Sequence, residues 1–174
     1  MEAEPHSERP DRDALVAVLY QRHRVGLVRL AVGLVGDAGD AEEIVQDAFA
    51  GLLRRWRAIR DVESAPAYLH TAVVNGARAR WRRRAIRERA GAAIGRSAHT
   101  LDPDIAEQST VLSAVRRLPM RKRACILLRF YADMSEAETA AVLGVSVGTV
   151  KSQTSRALAQ LAELLEGQES GAKR

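Results

Sequence analysis

The residues best suited to chemistry lie on one side of a helical segment that follows Gly144. Read at about 100° per residue, that side carries small hydroxyls, an arginine, a glycine and a flanking lysine: Gly148, Thr149, Lys151, Ser152, Ser155 and Arg156. Such a surface lets a helix approach the major groove of DNA closely. An ordinary solvated helix has the same composition, so the pattern alone leaves both interpretations open.

The sequence contains no comparable set of residues suited to catalysis. The histidines are scattered without metal-ligand spacing, and the chain has one cysteine. No glycine-rich phosphate loop, nucleophile elbow or Ser/His/Asp arrangement occurs. The sequence therefore predicts a protein that is not an enzyme, with no catalytic residue, metal, cofactor or small-molecule substrate.

Positive charge is concentrated in one segment. The formal net charge is +5, and residues 78–97 contain eight basic residues and one acidic residue. On the helix expected there, Asn75, Arg78 and Arg82 form a polar stripe near Trp81. Arginines beside an accessible aromatic ring suit single-stranded nucleic acid, whose bases stack and whose phosphates pair with guanidinium groups. Alternatively, Trp81 belongs to the core and the arginines form a solvated helix end.

A stripe of opposite charge lies earlier in the chain. In an amphipathic helix over residues 40–56, Asp40, Glu43 and Asp47 line the side opposite the apolar residues. Acidic residues in the first turns of a helix are favourable by about 0.3–1 kcal/mol each. The functional alternative is a docking strip for a basic partner.

The elements that position these residues are predicted to be helices, since no segment alternates between apolar and polar residues for long enough to predict a sheet. We predict an all-α protein of two small helical domains joined by a flexible linker. The helical period fails in a Gly-, Ser- and Pro-containing stretch. The expected boundaries are a tail at 1–12, a domain at 13–89, a linker at 90–108, a domain at 109–166 and a tail at 167–174.

Local signals predict where the helices begin and end. Ser135 with Glu138 three residues later is a capping box, and Gly144 suits the left-handed residue that ends a helix. Ser146 is then the expected cap of a second helix, which makes this segment a helix-turn-helix. Asp40 is the expected cap of the acidic helix.

Side-chain environments follow from the same periodicity. Val18 and Tyr131 are expected to face the core, and so is Cys125, which lies in an apolar run. Arg123 is expected at the surface with its basic neighbours. The absence of a signal peptide and of a long apolar run predicts a cytoplasmic protein without a membrane segment.

Three motifs, in this order, carry a family resemblance: DAEEIVQDAF (40–49), AYLHTAVVNGARARWRRR (67–84) and LLRFYADMSEAETAAVLGVSVGTVKS (127–152). Together they resemble extracytoplasmic-function sigma factors, which form group 4 of the sigma-70 family, and in particular the sigma-E-like type of actinobacteria. The resemblance extends from residue 13 to about residue 166. It implies a transcription initiation factor with a region 2 domain followed by a region 4 domain with the helix-turn-helix.

The resemblance also implies partners and residue roles. It implies contacts with the β′ clamp and β flap of core RNA polymerase, with promoter DNA, and in many members with an anti-sigma factor. The implied core-polymerase residues are Asp40, Glu43, Gln46, Asp47 and Phe49. The residues implied to recognise single-stranded DNA at the −10 element are Asn75, Arg78, Trp81 and Arg82. Those implied to read the −35 element as duplex are Thr149, Lys151, Ser152, Ser155 and Arg156.

Two other functions would explain part of the chain. A stand-alone helix-turn-helix regulator accounts for residues 135–165 but leaves the acidic and arginine-rich helices without a role. The other is an adaptor that binds polymerase but not DNA, in which case reversing Arg78 and Arg82 to Glu would leave transcription intact.

Overall fold

The computed structural model describes residues 12–56, 62–90 and 110–172, and every regular element in these ranges is helical. The predicted all-α class is therefore confirmed. The expected linker at 90–108 and the first tail lie almost wholly outside the described residues. The helices are α1 (Arg12–Val35), α2 (Ala38–Arg55), a short 3-10 turn (Val62–Ser64), α3 (Ala65–Arg89), α4 (Thr110–Arg117), α5 (Met120–Ile126) with a π-helical continuation (Leu127–Tyr131), α6 (Glu136–Leu143) and α7 (Val147–Ala172).

Helices α1, α2 and α3 pack against one another in the N-terminal half. In α1, Val16 and Leu19 are buried, whereas Val18 is exposed, so the expectation for Val18 is wrong. Two residues along a helix turn the side chain by about 200°, which places Val18 on the side opposite Val16. The apolar stripe of α1 therefore contains Val16 and not Val18.

The acidic helix begins earlier than expected. The cap of α2 is Asp37, whose carboxylate accepts a hydrogen bond of 2.8 Å from the backbone N–H of Asp40. Asp40 itself stands in the first turn, where its charge is favourable at the positive end of the helix dipole. The prediction of Asp40 as the cap is wrong by one helical turn.

The predicted helix-turn-helix is confirmed in detail. Ser135 and Glu138 form both hydrogen bonds of the capping box, and Gly144 ends α6 with a φ of +66°. The Ser146 hydroxyl accepts from the backbone N–H of Thr149 at 3.1 Å and so caps α7. Helix α7 continues to Ala172, beyond the residue at which the second tail was expected to begin.

The capping box offers a direct test of local stability. We expect Ser135→Ala to lower the free energy of unfolding by about 1 kcal/mol, because a backbone N–H at the start of α6 loses its acceptor. Urea denaturation followed by circular dichroism measures the change. Ser155→Ala is the matched control, since that exposed hydroxyl makes no hydrogen bond within the described residues. Equal unfolding midpoints for the two variants would contradict the capping role.

The π-helical continuation of α5 explains one misplaced side chain. The backbone N–H of Ala132 bonds to the carbonyl of Leu127, five residues back, at 2.9 Å. This wider turn advances each residue by a smaller angle than an α-helix does. Tyr131 is consequently exposed rather than facing the core, and so is its neighbour Phe130.

The two halves share one hydrophobic core in the described structure. Helix α3 packs against α6, and α1 packs against α4, α5 and the π-helical segment. Arg123 lies within this contact and is only 4% exposed, so its expected surface position is wrong. The linear pattern could not reveal this, because the groups that cover Arg123 include some from the N-terminal half.

Candidate nucleic-acid interface

The acidic side of α2, here called the acidic strip, comprises Asp40, Glu43 and Asp47. Asp40 and Glu43 are both paired with Arg80 of α3, with 2.7 Å between the Asp40 carboxylate and the Arg80 guanidinium. Asp47 is exposed and has no ion-pair partner among the described residues. Of the three carboxylates, only Asp47 therefore carries a charge that the described part of the chain leaves uncompensated.

Phe49 does not share the exposure of the acidic strip. It is 5% exposed, and its ring meets Tyr20 of α1 edge to face with centroids 4.9 Å apart. Gln46, by contrast, is exposed beside Asp47. Phe49 forms part of an apolar groove between α1 and α2, lined also by Val16, Tyr20 and Leu53. The motif identified Phe49 but gave no signal that Tyr20 accompanies it.

The candidate −10 residues lie on two sides of α3. Asn75 and Arg82 are exposed, and neither makes a hydrogen bond or an ion pair within the ranges described. Arg78 turns toward the C-terminal half, where it donates to the Leu143 carbonyl at 3.2 Å. Trp81 is 38% exposed and is thus neither the core residue nor the fully accessible ring that the sequence left as alternatives.

Trp81 meets a buried arginine from the C-terminal half. The Arg123 guanidinium lies 5.2 Å from the Trp81 ring centroid, within cation–π range. Both side chains donate to the same acceptor, the Leu34 carbonyl, at 3.2 Å from Trp81 Nε1 and 2.7 Å from Arg123. Arg123 also donates to the carbonyls of Arg116 and Leu118. Spacing along the chain gave no signal for this cluster.

Burial shifts the ionisation of the groups around this contact. It lowers the pKa of Arg123, and the nearby Arg116 charge acts in the same direction. It also lowers the pKa of Arg78. The pKa of the Cys125 thiol is raised by burial, with the Arg78 charge opposing the shift. Cys125 is therefore a core thiol that stays protonated, in agreement with its expected position.

The candidate −35 residues all lie at the exposed side of α7. Three of them already have partners: the Thr149 hydroxyl lies 2.9 Å from Ser146 Oγ, Ser152 donates to the Thr149 carbonyl, and Lys151 pairs with Glu136 at 3.6 Å. Ser155 and Arg156 have none among the described residues. Val150, Ala157 and Leu161 are buried on the other side, as the helical angles predict.

The described residues include neither a candidate metal site nor a candidate membrane span. No group of three or more His, Cys, Asp or Glu side chains in them is placed to hold a metal ion. Among the helices described, none is long and apolar enough to cross a membrane.

Family models match both halves of the chain. The model for Sigma-70 region 2 matches residues 19–86, and the model for Sigma-70, region 4, matches residues 109–161. The chain belongs to the sigma-70 family. Its two matched regions are the α1–α3 half and the half with the helix-turn-helix.

Curated relatives agree over most of the sequence. The RNA polymerase sigma-E factor of Streptomyces antibioticus is 37% identical over 149 residues, which cover 84% of this chain and 82% of the relative. The sigma-E factor of Streptomyces coelicolor is 35% identical, with 84% of each chain covered. The ECF sigma factor SigM of Mycobacterium tuberculosis is 33% identical, covering 84% of this chain and 75% of the relative.

Solved structures of sigma factors have the same fold. CnrH, in complex with the cytosolic domain of CnrY, superposes with a TM-score of 0.67 at 28% identity, covering 90% of this chain and 91% of CnrH. RpoE of Bartonella quintana, in complex with the anti-sigma factor NepR, also gives 0.67, at 26% identity, covering 86% of this chain and 97% of RpoE.

The predicted family and function are confirmed by these matches. The chain is an RNA polymerase sigma factor that directs core enzyme to promoters for transcription initiation. Sigma factors bind core RNA polymerase and promoter DNA, and regions 2 and 4 are the parts that recognise the promoter.

Proposed function

We propose that this sigma factor docks on the β′ clamp of core polymerase through α2, reads the −10 element with α3 and reads the −35 element with α7. The observation that carries the proposal is that each helix presents exposed polar residues without a hydrogen-bond or ion-pair partner among the residues that the structure describes. These are Gln46 and Asp47 on α2, Asn75 and Arg82 on α3, and Ser155 and Arg156 on α7.

The docking surface centres on Asp47. An exposed carboxylate that the described residues leave unpaired suits a basic partner, because none of those residues compensates its charge. Gln46 lies next to it, and the apolar groove with Tyr20 and Phe49 begins on the same helix. Asp40 and Glu43 can bind the polymerase only by giving up their ion pairs with Arg80. They therefore contribute less than Asp47 to the binding free energy.

The −10 surface combines amide, guanidinium and indole groups on α3. Asn75 and Arg82 can contact bases and phosphates directly, since both are exposed. The Trp81 ring offers a stacking surface for an unpaired base, which is worth about 1–3 kcal/mol per base. The segment 13–89 is the proposed region 2 domain, followed by a linker at 90–108 and a region 4 domain at 109–166.

The −35 surface predicts separable effects for Arg156 and Lys151 of α7. We expect Arg156→Ala to weaken discrimination at one position of the −35 element by about 1–3 kcal/mol, because an arginine that pairs with a base edge carries sequence information. Run-off transcription on promoters with single −35 substitutions measures the ranking. Lys151→Ala is the control, since a lysine that contacts phosphate weakens all promoters alike. An unchanged ranking with Arg156→Ala would remove this residue from base readout.

The β flap is the proposed polymerase partner of the C-terminal domain, and the factor is proposed to act in the cytoplasm without catalysing a reaction itself. An anti-sigma factor is a proposed regulator, supported by the solved complexes of CnrH with CnrY and of RpoE with NepR.

Run-off transcription from a genomic fragment library tests the assignment as a whole. Core polymerase with this chain should yield specific transcripts that core polymerase alone does not produce. The same chain without polymerase should give no tight footprint on those fragments. A tight footprint without polymerase would instead favour a stand-alone helix-turn-helix regulator.

A further inference from the structure

Two neighbouring arginines of the C-terminal half, Arg116 and Arg123, are here called the arginine pair. Arg123 of α5 is 4% exposed, and its Nη2 donates to the backbone carbonyl of Arg116, the penultimate residue of α4. Burial lowers the pKa of Arg123, and the nearby Arg116 charge lowers it further. Within the described ranges, neither arginine forms an ion pair with an aspartate or a glutamate.

Three nitrogen atoms of the arginine pair are buried without a hydrogen-bond acceptor among the described residues. They are Nε of Arg123 together with Nε and Nη2 of Arg116. The other two nitrogens of Arg123 have acceptors, since Nη1 donates to the Leu34 carbonyl at 2.7 Å and Nη2 to the Leu118 carbonyl at 3.0 Å. The pair therefore presents a set of donors that the described part of the chain does not satisfy.

Burial makes these unpartnered donors costly. A buried polar group destabilises the fold unless it is hydrogen-bonded, and a buried charge does so unless it is also compensated. Helix-end carbonyls and the Trp81 ring, 5.2 Å from the Arg123 guanidinium, compensate part of the Arg123 charge. They provide no acceptor for the three buried nitrogens. An acceptor that also carries negative charge would remove both costs at once.

We infer that the arginine pair binds a small inorganic anion, chloride or inorganic phosphate, between α4 and α5. One anion supplies both the acceptor that the three donors lack and the negative charge that two guanidinium groups require. Hydrogen bonds between a guanidinium and an anion are also shorter and stronger than those between neutral groups. Neither arginine belongs to the three proposed surfaces, so the inference does not depend on their assignment.

A bound water molecule is the alternative occupant of this position. Buried waters commonly bridge polar groups that have no other partner. A water molecule, however, would accept hydrogen bonds without compensating any charge. The two arginines cannot remove the repulsion by losing a proton, because arginine side chains stay protonated in proteins. The presence of two cations, and not only of unpartnered donors, therefore favours an anion.

Thermal unfolding of the full chain tests the inference. Sodium chloride and sodium phosphate are titrated separately, and sodium gluconate, whose anion is too large for an enclosed position, keeps the ionic strength constant. A ligand that binds only the folded state raises the unfolding midpoint, so we expect a rise of about 2–4 °C at about five times the dissociation constant. A midpoint independent of both anions would overturn the inference, since water or a carboxylate outside the described ranges would then occupy the position.

Two adjacent arginines of α4 provide a matched pair of variants. Arg116→Gln removes a charge from the arginine pair, whereas Arg117→Gln makes the same change in net charge at the next, exposed position. We expect Arg116→Gln to abolish the dependence of the unfolding midpoint on the anion and Arg117→Gln to retain it. Equal dependence in the two variants would mean that the salt only screens the net positive charge of the chain, and the inference would be wrong.

Chloride-35 and phosphorus-31 NMR detect the two anions directly, without unfolding the chain. An anion that exchanges between water and a protein site has a broader resonance than the free anion. We expect the unmodified chain and Arg117→Gln to broaden the resonance of the anion that raises the unfolding midpoint, and Arg116→Gln to leave it narrow. The comparison of the two nuclei shows whether the halide or the oxyanion binds. Broadening of neither resonance, or equal broadening by Arg116→Gln, would refute the anion site.

Discussion

Asp47→Arg is expected to abolish binding of this sigma factor to core polymerase while the fold is retained. The carboxylate is exposed and makes no ion pair within the described residues, so its reversal breaks no ion pair in that part of the chain. At the proposed interface it replaces an attraction by a repulsion between like charges, which costs several kcal/mol. Co-purification of the variant with core enzyme, together with its circular dichroism spectrum, measures the two outcomes.

The control for this prediction reverses a charge elsewhere. Glu163 is likewise exposed on a helix, and Glu163→Arg makes the same change in net charge on α7. It should leave core binding unchanged, which separates a local effect at α2 from an effect of total charge. Retention of Asp47→Arg on core polymerase at the level of the unmodified chain would show that α2 does not dock through this residue.

Arg82→Glu is expected to lower promoter opening by about 100-fold, which corresponds to ~2.8 kcal/mol at 1.4 kcal/mol per tenfold change. Arg82 is exposed on the same side of α3 as Asn75, and no group in the described ranges occupies its guanidinium, which can therefore bind a phosphate or a base. A glutamate there both removes the contact and repels the DNA backbone. Permanganate footprinting of the holoenzyme on its promoter measures opening, and binding to core polymerase should persist.

The neighbouring arginine supplies the control for the −10 prediction. Arg83 is also exposed, but about 100° further round the helix. Arg83→Glu makes the same change in charge within the same basic segment and should reduce opening far less. Equal losses for the two variants would mean that the segment contributes only general positive charge, and that Arg82 has no specific role.

Some features of the three surfaces can be recognised only in the tertiary structure. The sequence places Asp40, Glu43 and Asp47 on one side of α2, and that placement holds. It does not reveal that Arg80 from another helix compensates the first two and leaves Asp47 alone. The helical angles, by contrast, predict correctly that Ser155 and Arg156 face outward. Val150 and Ala157 are buried on the opposite side of α7.

The sequence by itself determined the local structure and the family. The capping box at Ser135, the left-handed Gly144 and the cap at Ser146 are interactions between residues that are at most a few positions apart, so residue types and spacing suffice to predict them. The order of three motifs likewise depends only on the linear chain, and it led to the sigma-70 family.

Only the tertiary structure decided how the two halves meet. The bond from Arg123 to the Leu34 carbonyl joins residues 89 positions apart, and the partners of Arg78 and Trp81 also come from distant segments. Helical periodicity predicts Arg123 to be a surface residue, because the pattern along one helix contains no information about an acceptor on another helix. For the same reason, the sequence identifies the candidate −10 residues but not that the chain itself covers two of them.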